Sequence, residues 1–446
     1  MESQTNKHFQ VAILGGGITG SSIFHTLNKY TNLESICLFE KCADVGLVNS
    51  HGSNNSQTLH FGDIETNYSE EKAKATKSAS EMVVRLLKSL EPKYENLYKK
   101  SHKLALAVGQ EEVDRLTTRY ENFKNIFPEL ELISKERIGE LEPEILNGRA
   151  KDTPLAAFYS DKSYIIDFGQ LAKALANETK NNSQKKIDIF TNTKITSIEK
   201  DTTGYKITTA NDSFTAEVVV VSMCAHSLMF AKPLGYGLEY SILPVGGNFY
   251  TSARKVLNGK VYTMQSGKLP FAAVHGDPIL NQETLTRFGP TANIMPFLER
   301  NDLKSFFDFA KSSLTGLSAT LAIVKVVTEP TLFSFLFKSL IYELPYFGPR
   351  AFASVCQKII PSLNYKDFKN GKTKAGIRPQ LIDNKTGKLI MGEIEITGEN
   401  ILFNITPSPG ATACLKNAAI SSKKIISFMG DNYSFNETAF NTDYIK

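Results

Sequence analysis

The most constraining feature of the sequence is a glycine motif between an apolar run and a helical pattern. Residues 9–14 form the apolar run FQVAIL, the motif Gly15-x-Gly17-x-x-Gly20 follows at once, and a second apolar run occupies residues 35–39. In a strand–turn–helix–strand unit, such glycines allow a tight turn, close approach of the backbone to a pyrophosphate, and close packing of helix on strand. The motif therefore predicts a Rossmann-type unit that binds a dinucleotide.

Glu40 ends the second run, about 20 residues after the motif, where a carboxylate accepts hydrogen bonds from the ribose hydroxyls of a dinucleotide. The helix N-terminus that the motif opens offers unpaired N–H groups and a partial positive charge to the phosphates. A carboxylate at this position argues against NADP, because it repels a 2′-phosphate. FAD and NAD remain alternatives here, and a glycine-rich turn in an unrelated fold is the alternative to dinucleotide binding.

The composition is ordinary for a soluble globular protein with more than one lobe. The chain has 446 residues, 41% of them hydrophobic and 22% charged, and a single core rarely grows to this size. A net charge of +5 is too small for the dense basic stripe of a nucleic-acid-binding protein. The five cysteines are scattered without a CxxC pair, so we expect no metal site and a reducing compartment. The polar N-terminus predicts a cytoplasmic protein without a secretory signal.

Patterns of the α/β kind occur at the start, near the middle and at the end of the chain. A buried apolar run occupies residues 218–222, and a strand at 400–404 precedes a helix from Cys414. We therefore predict an α/β fold with a Rossmann-like nucleotide-binding lobe built from discontinuous segments and an inserted α+β substrate lobe with an antiparallel sheet. The predicted segments are 1–93, 151–230 and 371–446 for the first lobe and 94–150 and 231–370 for the second.

Residues 303–346 are rich in phenylalanine, leucine and lysine and have a largely helical pattern. No part of this segment reaches the roughly 18 apolar residues that a membrane span requires. Aromatic and aliphatic side chains with flanking lysines suit helices that lie in a membrane interface. A pair of core helices in the substrate lobe is the alternative.

Six motifs, taken together, closely resemble the shorter bacterial branch of the malate:quinone oxidoreductases, within the D-amino-acid-oxidase and L-2-hydroxyglutarate-dehydrogenase superfamily. They occur in order over nearly the whole chain. The motifs are AILGGGITG at 12–20, NSHGSNNSQTLHFGDIETNY at 49–68, LPFAAVHGDP at 269–278, RFGPTA at 287–292, GIRPQLID at 376–383 and NITPSPGAT at 404–412.

The resemblance implies a two-lobed enzyme with an FAD-binding lobe and a substrate lobe. It would oxidise the C2 hydroxyl of (S)-malate to oxaloacetate and pass the electrons to membrane quinone. Such a protein would lie peripherally on the inner, cytoplasmic face of the cell membrane, with residues 303–346 as the contacting helices.

The resemblance also implies which residues hold FAD. The ADP half would be bound by Gly15, Gly17, Ile18, Thr19, Gly20, Glu40 and Lys41, and the adenine would be contacted by Ile195. The flavin would have Asn55, Ser56, Gln57 and Thr58 beside it. Its pyrimidine edge would be approached by Gly410, Ala411 and Thr412. After the strand at 218–221 the family usually has Ala-Gly, where this chain has Ser222-Met223-Cys224; Met223 and Cys224 predict weaker cofactor binding or a changed local geometry.

Oxidation of an alcohol also requires a base for the hydroxyl proton, and histidine suits this role near neutral pH. His275 is the predicted base, with Asp277 placed to orient it or to raise its pKa; a structural histidine in a turn is the alternative. His60 is a second candidate, for substrate contact or for packing. Gln57 is predicted to reach the substrate side with His60.

A dicarboxylate substrate requires fixed positive charge. Arg378 is the predicted clamp, because a guanidinium binds a carboxylate through two parallel hydrogen bonds and stays charged. A surface arginine before a proline is the alternative for Arg378. Arg287 is predicted either to bind the second carboxylate or to order the adjacent FGPTA turn.

Three functions remain open on the sequence. The first is malate oxidation with quinone as acceptor, and the second is oxidation of another L-2-hydroxy acid, such as L-2-hydroxyglutarate, with oxygen or a different acceptor. The third is a flavin-binding regulatory or scaffold protein without turnover, which Met223 and Cys224 make conceivable. Retention of His275 and Arg378 argues against this third function.

Overall fold

The computed structural model describes residues 7–265, 273–368, 373–390, 392–406 and 410–446. Residues 269–272 and 407–409, which belong to two of the six motifs, lie outside the described residues. Within the described ranges the chain forms twenty strands and twelve α-helices.

The strands, numbered along the chain, are β1 (Lys7–Leu14), β2 (Ser35–Phe39), β3 (Tyr98–Val108), β4 (Glu131–Ser134), β5 (Leu155–Ile166), β6 (Lys186–Phe190), β7 (Ile195–Asp201), β8 (Gly204–Thr209), β9 (Ser213–Val221), β10 (Tyr240–Gly246), β11 (Asn248–Ser252), β12 (Lys260–Thr263), β13 (His275–Ile279), β14 (Gln282–Gly289), β15 (Asn293–Ile294), β16 (Thr373–Lys374), β17 (Arg378–Asp383), β18 (Lys388–Ile390), β19 (Ile394–Gly398) and β20 (Ile401–Ile405). The helices are α1 (Ile18–Tyr30), α2 (Glu70–Leu90), α3 (Gln110–Phe123), α4 (Lys135–Leu141), α5 (Phe168–Asn182), α6 (Ser227–Ala231), α7 (Ser305–Ser313), α8 (Leu317–Val327), α9 (Pro330–Ile341), α10 (Phe347–Cys356), α11 (Cys414–Met429) and α12 (Glu437–Tyr444).

The first sheet has the strand order β19-β20-β9-β1-β2-β6, and its strands from β20 to β6 run parallel. A three-stranded antiparallel meander, β7-β8-β9, joins it through β9. Side chains alternate across β1: Val11 and Ile13 pack with α1, α5 and α11, whereas Ala12 and Leu14 pack with the meander side. Burial on both faces explains why this strand is a continuous apolar run. The predicted Rossmann-like fold is confirmed.

Two further sheets are formed by the described residues. The larger has the order β16-β11-β14-β13-β12-β3-β5-β4 and is antiparallel except where β12 pairs with β3. The smaller, β15-β10-β17-β18, is antiparallel throughout and is covered by α8 and α9. The predicted α+β character with an antiparallel sheet is therefore confirmed.

Sheet membership does not follow the predicted segments at two places. Strand β5 pairs with β3 and β4 although it falls within 151–230, and β17 pairs with β10 although it falls within 371–446. A run of alternating apolar residues predicts a strand, but its partner depends on contacts distant in sequence. The five segment boundaries remain a prediction.

Among the described helices, none is long and apolar enough to cross a membrane by itself. Helices α7 and α8 would reach the required length and composition only as a pair, and the two are bent by 105° at the break between them.

We predict that Gly20→Ala destabilises the fold, whereas Gly17→Ala mainly affects the cofactor site. A Cβ at Gly20 would overlap the Gly15 carbonyl oxygen, whereas one at Gly17 would meet only Ser50 Oγ, at 3.4 Å. Overpacking of this kind costs about 1–3 kcal/mol, so the thermal midpoint of Gly20→Ala should fall by several degrees. Thermal unfolding of both variants checks this, and equal midpoints would contradict it.

Candidate active site

A long cavity of about 470 Å³ starts at the glycine turn and extends to the residues that precede α11. Its size is in the range of cofactor sites. Thirteen of the fifteen residues predicted to bind the cofactor line this first cavity: Gly15, Gly17, Ile18, Thr19, Glu40, Lys41, Asn55, Ser56, Thr58, Ile195, Gly410, Ala411 and Thr412.

The glycine turn and the second strand are held together by Glu40. This buried carboxylate accepts hydrogen bonds from Gly16 N and Cys42 N, each at 2.9 Å, one on each oxygen. Each oxygen retains a second lone pair for a ligand hydroxyl. Helix α1 begins at Ile18, whose N–H donates to Ser50 Oγ at 2.9 Å. The arrangement leaves the turn open toward the cavity at Gly17.

The segment Ser56–Thr58, predicted to run beside the flavin, is held from behind by a buried lysine. Lys260 Nζ donates to Ser56 O at 2.8 Å and to Thr58 Oγ1 at 2.7 Å, and Tyr262 Oη lies 3.1 Å from the same Thr58 oxygen. Burial, together with the charges of Arg287 and Lys103, lowers the pKa of Lys260 to about 8, against the opposing effect of Asp277. The segment is therefore fixed by residues of the eight-stranded substrate sheet.

Met223 and Cys224, which stand where the family usually has Ala-Gly, both line the first cavity. Cys224 has a φ of 54°, a left-handed conformation that glycine adopts at no steric cost and other residues at a cost of order 1–3 kcal/mol. Asn49 Nδ2 donates to Cys224 Sγ at 3.3 Å and to Ile377 O at 3.1 Å. The local geometry expected of a glycine is thus retained in strained form.

A second cavity of about 320 Å³ adjoins the first, and four residues line both: Ser56, His60, Arg378 and Thr412. Predicted and unpredicted polar residues complete its wall, including Glu65, Lys72, Tyr262, Gln265, His275, Glu393 and Lys416. The position next to the cofactor cavity makes this second cavity the candidate substrate site.

Arg378 is the first residue of β17 and is half-buried where the two cavities meet. No hydrogen bond or ion pair engages its guanidinium among the described residues. Burial lowers the pKa of Arg378, against the opposing effect of Tyr262, but a guanidinium stays charged in proteins. A half-buried guanidinium without a protein partner favours the binding of an anion, which supports its predicted role as a carboxylate clamp.

His275 lies in the wall of the second cavity, stacked on Tyr262 with ring centroids 4.7 Å apart. Burial, with the charges of Lys260, Arg287 and Arg378, lowers its pKa to about 3 despite the opposing effect of Asp277. His275 is therefore neutral at pH 7. Asp277, whose Oδ1 lies 3.3 Å from His275 Nε2, acts to raise this pKa, which is one of the two roles predicted for it, but burial and the three cations outweigh its effect.

Burial contributes most to the lowered pKa of His275, and Asp277 is itself paired with a cation. Its Oδ2 accepts from Arg287 Nη2 at 2.9 Å, directly across the β13–β14 ladder. Arg287 and Lys260 lower the pKa of Asp277 although burial raises it.

Three predicted site residues lie away from the cavities. Gly20 packs α1 against the glycine turn, as predicted for its packing role. Gln57 lines neither cavity, and its Oε1 accepts from Leu280 N at 3.3 Å. Arg287 is likewise absent from both walls, because its guanidinium is fully buried against Asp277 and the Phe249 ring. The structure therefore does not bring Gln57 or Arg287 to the substrate side.

Three functional candidates were missed by sequence reasoning: Glu65, Lys260 and Tyr262. Glu65 lies within the 49–68 motif, which was the available signal for it. Lys260 and Tyr262 occupy a short strand in which nothing distinguishes a buried lysine from an exposed one. Their positions follow from the pairing of β12 with β13, which places Tyr262 opposite His275.

The residues around the first cavity fit FAD. The open backbone at Gly17, the N-terminus of α1 and the Glu40 carboxylate match the needs of a pyrophosphate and a ribose, and the cavity continues to a second, polar one. A family model described as FAD dependent oxidoreductase matches residues 10–415. Fold, site and family model together define an FAD-dependent oxidoreductase.

Comparison with known proteins narrows the class. The chain is 38% identical to a probable malate:quinone oxidoreductase of Campylobacter jejuni, over 99% of this chain and 100% of the relative. It is 36% identical to a malate:quinone oxidoreductase of Helicobacter pylori, over 95% of this chain and 96% of the relative. An FAD-bound L-alpha-glycerophosphate oxidase of Mycoplasma pneumoniae shares its fold, with a TM-score of 0.65, 18% identity and 97% coverage of both chains. The chain belongs to the malate:quinone oxidoreductase family.

We predict that His275→Gln reduces the loss of stability on acidification. The folded-state pKa of His275 is about 3 and the unfolded value is 6.5, so the unfolded chain binds more protons between these values and stability falls as pH drops below about 6.5. The wild-type free energy of unfolding should fall by about 2 kcal/mol more than that of the variant between pH 7 and pH 5. Chemical denaturation at both pH values checks this, and parallel losses would contradict it.

Proposed function

We propose that the chain is an FAD-dependent dehydrogenase that oxidises (S)-malate to oxaloacetate and passes the electrons to membrane quinone. The observation that carries the proposal is Arg378, a half-buried cation at the junction of the cofactor cavity and the second cavity. Nearly full-length identity to malate:quinone oxidoreductases supports the same substrate and acceptor.

The side chains of the second cavity suit a small dicarboxylate. Bound FAD supplies a two-electron acceptor. Arg378 holds one carboxylate through two parallel hydrogen bonds and so orients C2 at the junction of the cavities. Lys72 and Lys416 line the same cavity and add positive charge for the second carboxylate, the role first considered for Arg287. Burial raises the pKa of Glu393 in this wall, which lowers its repulsion of an anionic substrate.

His275 contributes a neutral imidazole to this cavity rather than a second positive charge. A pKa of about 3 also makes it a weak proton acceptor at neutral pH. His275 therefore suits contact with the substrate better than the role of the base.

An anaerobic titration tests the proposed reaction. Addition of (S)-malate to the purified FAD-bound protein should bleach the oxidised flavin spectrum, whereas L-2-hydroxyglutarate should leave it nearly unchanged. Bleaching by L-2-hydroxyglutarate instead would favour the second function considered above. A flavin spectrum that no 2-hydroxy acid bleaches would favour the non-catalytic one.

Variants of Arg378 sharpen this experiment. Loss of hydrogen bonds to a charged group costs about 1.5–3 kcal/mol, so Arg378→Met should need roughly 10- to 100-fold more malate for half-maximal bleaching. Arg137→Met is the matched control, because Arg137 lies on the surface and pairs with Glu140. An unchanged malate requirement in Arg378→Met would remove Arg378 from the substrate site.

The membrane contact that this function requires has a candidate surface. Thirteen of the seventeen exposed large apolar side chains of the described residues lie between 303 and 347, and we call these thirteen the apolar surface. They are Leu303, Phe306, Phe307, Leu314, Leu317, Leu321, Val324, Phe333, Phe337, Leu340, Leu344, Tyr346 and Phe347. So dense an exposed patch is typical of a protein or membrane contact.

Two helices of this surface have the spacing of an outward apolar stripe. On α8 the exposed residues Leu317, Leu321 and Val324 stand at i, i+4 and i+7, while Ala322 and Val326 pack on the four-stranded sheet. Helix α9 repeats the spacing with exposed Phe333, Phe337 and Leu340. The outer faces are apolar where a surface helix of a soluble protein is polar.

Charge favours a lipid bilayer with anionic headgroups as the partner. Lysine and arginine side chains interrupt the apolar surface at Lys304, Lys311, Lys325, Lys338 and Arg350. Long basic side chains reach the headgroup level while apolar neighbours enter the acyl boundary. We propose that the protein docks by this surface on the inner face of the cell membrane, where quinone is dissolved. The alternative of a buried helix pair does not fit these exposures.

We predict that Phe307→Ser combined with Phe337→Ser weakens membrane binding. Each ring contributes roughly 1.5–3 kcal/mol when buried, so affinity for phosphatidylcholine–phosphatidylglycerol vesicles should fall by at least about tenfold. Leu238→Ser is the matched control, since Leu238 is 59% exposed but lies outside the apolar surface. Sedimentation with vesicles checks this, and equal binding of all three proteins would contradict the assignment.

A further inference from the structure

We propose that His60 and Glu65 form the proton-accepting pair of the oxidation, with His60 taking the hydroxyl proton and Glu65 positioning its ring. The proposal deepens the proposed function and rests on it. It also assigns a role to Glu65, which sequence reasoning did not single out.

His60 lies in the walls of both cavities, on the same shared boundary as Arg378. Its backbone N–H donates to Thr412 Oγ1 at 3.1 Å, which ties it to the segment before α11. A substrate held by Arg378 would therefore have its reacting carbon near the imidazole of His60. His275, by contrast, lines the second cavity and not the first.

Glu65 is positioned by its surroundings on several sides. The residue is 5% exposed, and Arg119 Nη2 donates to its backbone carbonyl at 2.9 Å. Its Oε1 lies 2.7 Å from His60 Nδ1. Its Oε2 is buried and has no hydrogen-bond partner among the described residues, although Glu65 lines the second cavity. A buried carboxylate oxygen without a partner can accept a hydrogen bond from a ligand or from water.

The pair defines the tautomer of His60. Burial raises the pKa of Glu65, but the hydrogen bond and charge of His60 and the charge of Lys103 lower it below its ordinary value. An ionised carboxylate only accepts hydrogen bonds, so Nδ1 must be the donor, and the lone pair of a neutral ring then lies on Nε2. No hydrogen bond engages Nε2 among the described residues. A carboxylate behind Nδ1 fixes the tautomer and the orientation of the ring.

The contrast with His275 favours His60 as the base. Lys260, Arg287 and Arg378 surround His275 and oppose the formation of an imidazolium. Both rings have a carboxylate beside them, but His275 Nε2 lies 3.3 Å from Asp277 Oδ1 without a hydrogen bond among the described residues, whereas His60 Nδ1 is hydrogen-bonded to Glu65 Oε1 at 2.7 Å. The charged groups around the pair are Lys72, Lys103, Arg119, Arg378, Glu393 and Lys416.

The step balances with the acceptor of the proposed function. The O–H bond of the C2 hydroxyl breaks and its proton forms a bond to His60 Nε2. The C2–H bond breaks, its hydrogen leaves with both electrons to FAD, and the oxygen lone pair closes the carbonyl of oxaloacetate. Glu65 compensates the positive charge that develops on the imidazole.

Four variants test the pair in the FAD-bound protein. Proton transfer by a placed base contributes about 10²–10⁴ in rate, so His60→Gln should slow anaerobic flavin reduction by that factor. Its affinity for oxaloacetate, measured from the flavin spectrum, should stay within about threefold. Added imidazole should restore part of the rate in His60→Gly, which a purely structural histidine would not allow.

Glu65→Gln should slow reduction by about 10- to 100-fold and move the acid limb of the pH profile to lower pH. His275→Gln should lose less than about tenfold.

Controls separate the outcomes. His51→Gln and Glu70→Gln change exposed residues of the same types and should reduce flavin at the wild-type rate. Wild-type reduction rates in His60→Gln, or a larger loss in His275→Gln, would overturn the pair. If His60→Gln fails to retain FAD, the pH profile of Glu65→Gln decides, and an unmoved acid limb overturns the proposal. A wild-type protein that malate does not bleach contradicts the proposed function instead, and the pair is then tested with the 2-hydroxy acid that does.

Discussion

The contact of Lys260 with the segment Ser56–Thr58 joins the two halves of the active site. Lys260 begins β12 in the eight-stranded sheet, and its ammonium donates to Ser56 O and Thr58 Oγ1 in a segment that lines the cofactor cavity. Burial of an ammonium is costly unless hydrogen bonds and opposite charge compensate it. Here the two oxygens and the nearby Asp277 provide that compensation. This buried cation therefore acts together with backbone hydrogen bonds to β5, in which Ile166 N donates to Gln57 O at 2.8 Å and Leu59 N donates to Tyr164 O at 3.2 Å, to set the position of the flavin segment on the substrate sheet.

The same group sets the electrostatic character of the substrate cavity. Arg287 and Lys260 both lower the pKa of Asp277, and together with burial they outweigh the effect of this carboxylate on His275. The imidazole consequently stays neutral, and Arg378 is left as an uncompensated cation at the cavity junction. A small site with fixed positive charge and one carboxylate–histidine pair attracts a dicarboxylate and still offers one proton acceptor.

The sequence predicted local chemistry well and long-range pairing poorly. The glycine motif and Glu40 follow from short-range rules, and both are found where they were predicted. The sequence did not decide between the two roles predicted for Arg287, because a basic residue in a motif gives the same pattern whether it faces a ligand or an aspartate across the ladder. Glu65 was missed because its contact with His60 arises in an irregular loop, where spacing carries no periodic signal.

Asn49 contacts both Cys224, which has a strained backbone conformation, and the residues that precede Arg378. The Asn49 amide donates to both Cys224 Sγ and Ile377 O, one residue before the clamp Arg378. Gly376 N donates to Asn54 O at 2.7 Å, and a Cβ at Gly376 would overlap Asn49 Oδ1. The backbone conformation at Cys224 is thus held by the same asparagine that positions the start of β17. Cofactor geometry and the placement of the carboxylate clamp are coupled there, so a change at Cys224 should act on substrate binding as well as on the flavin.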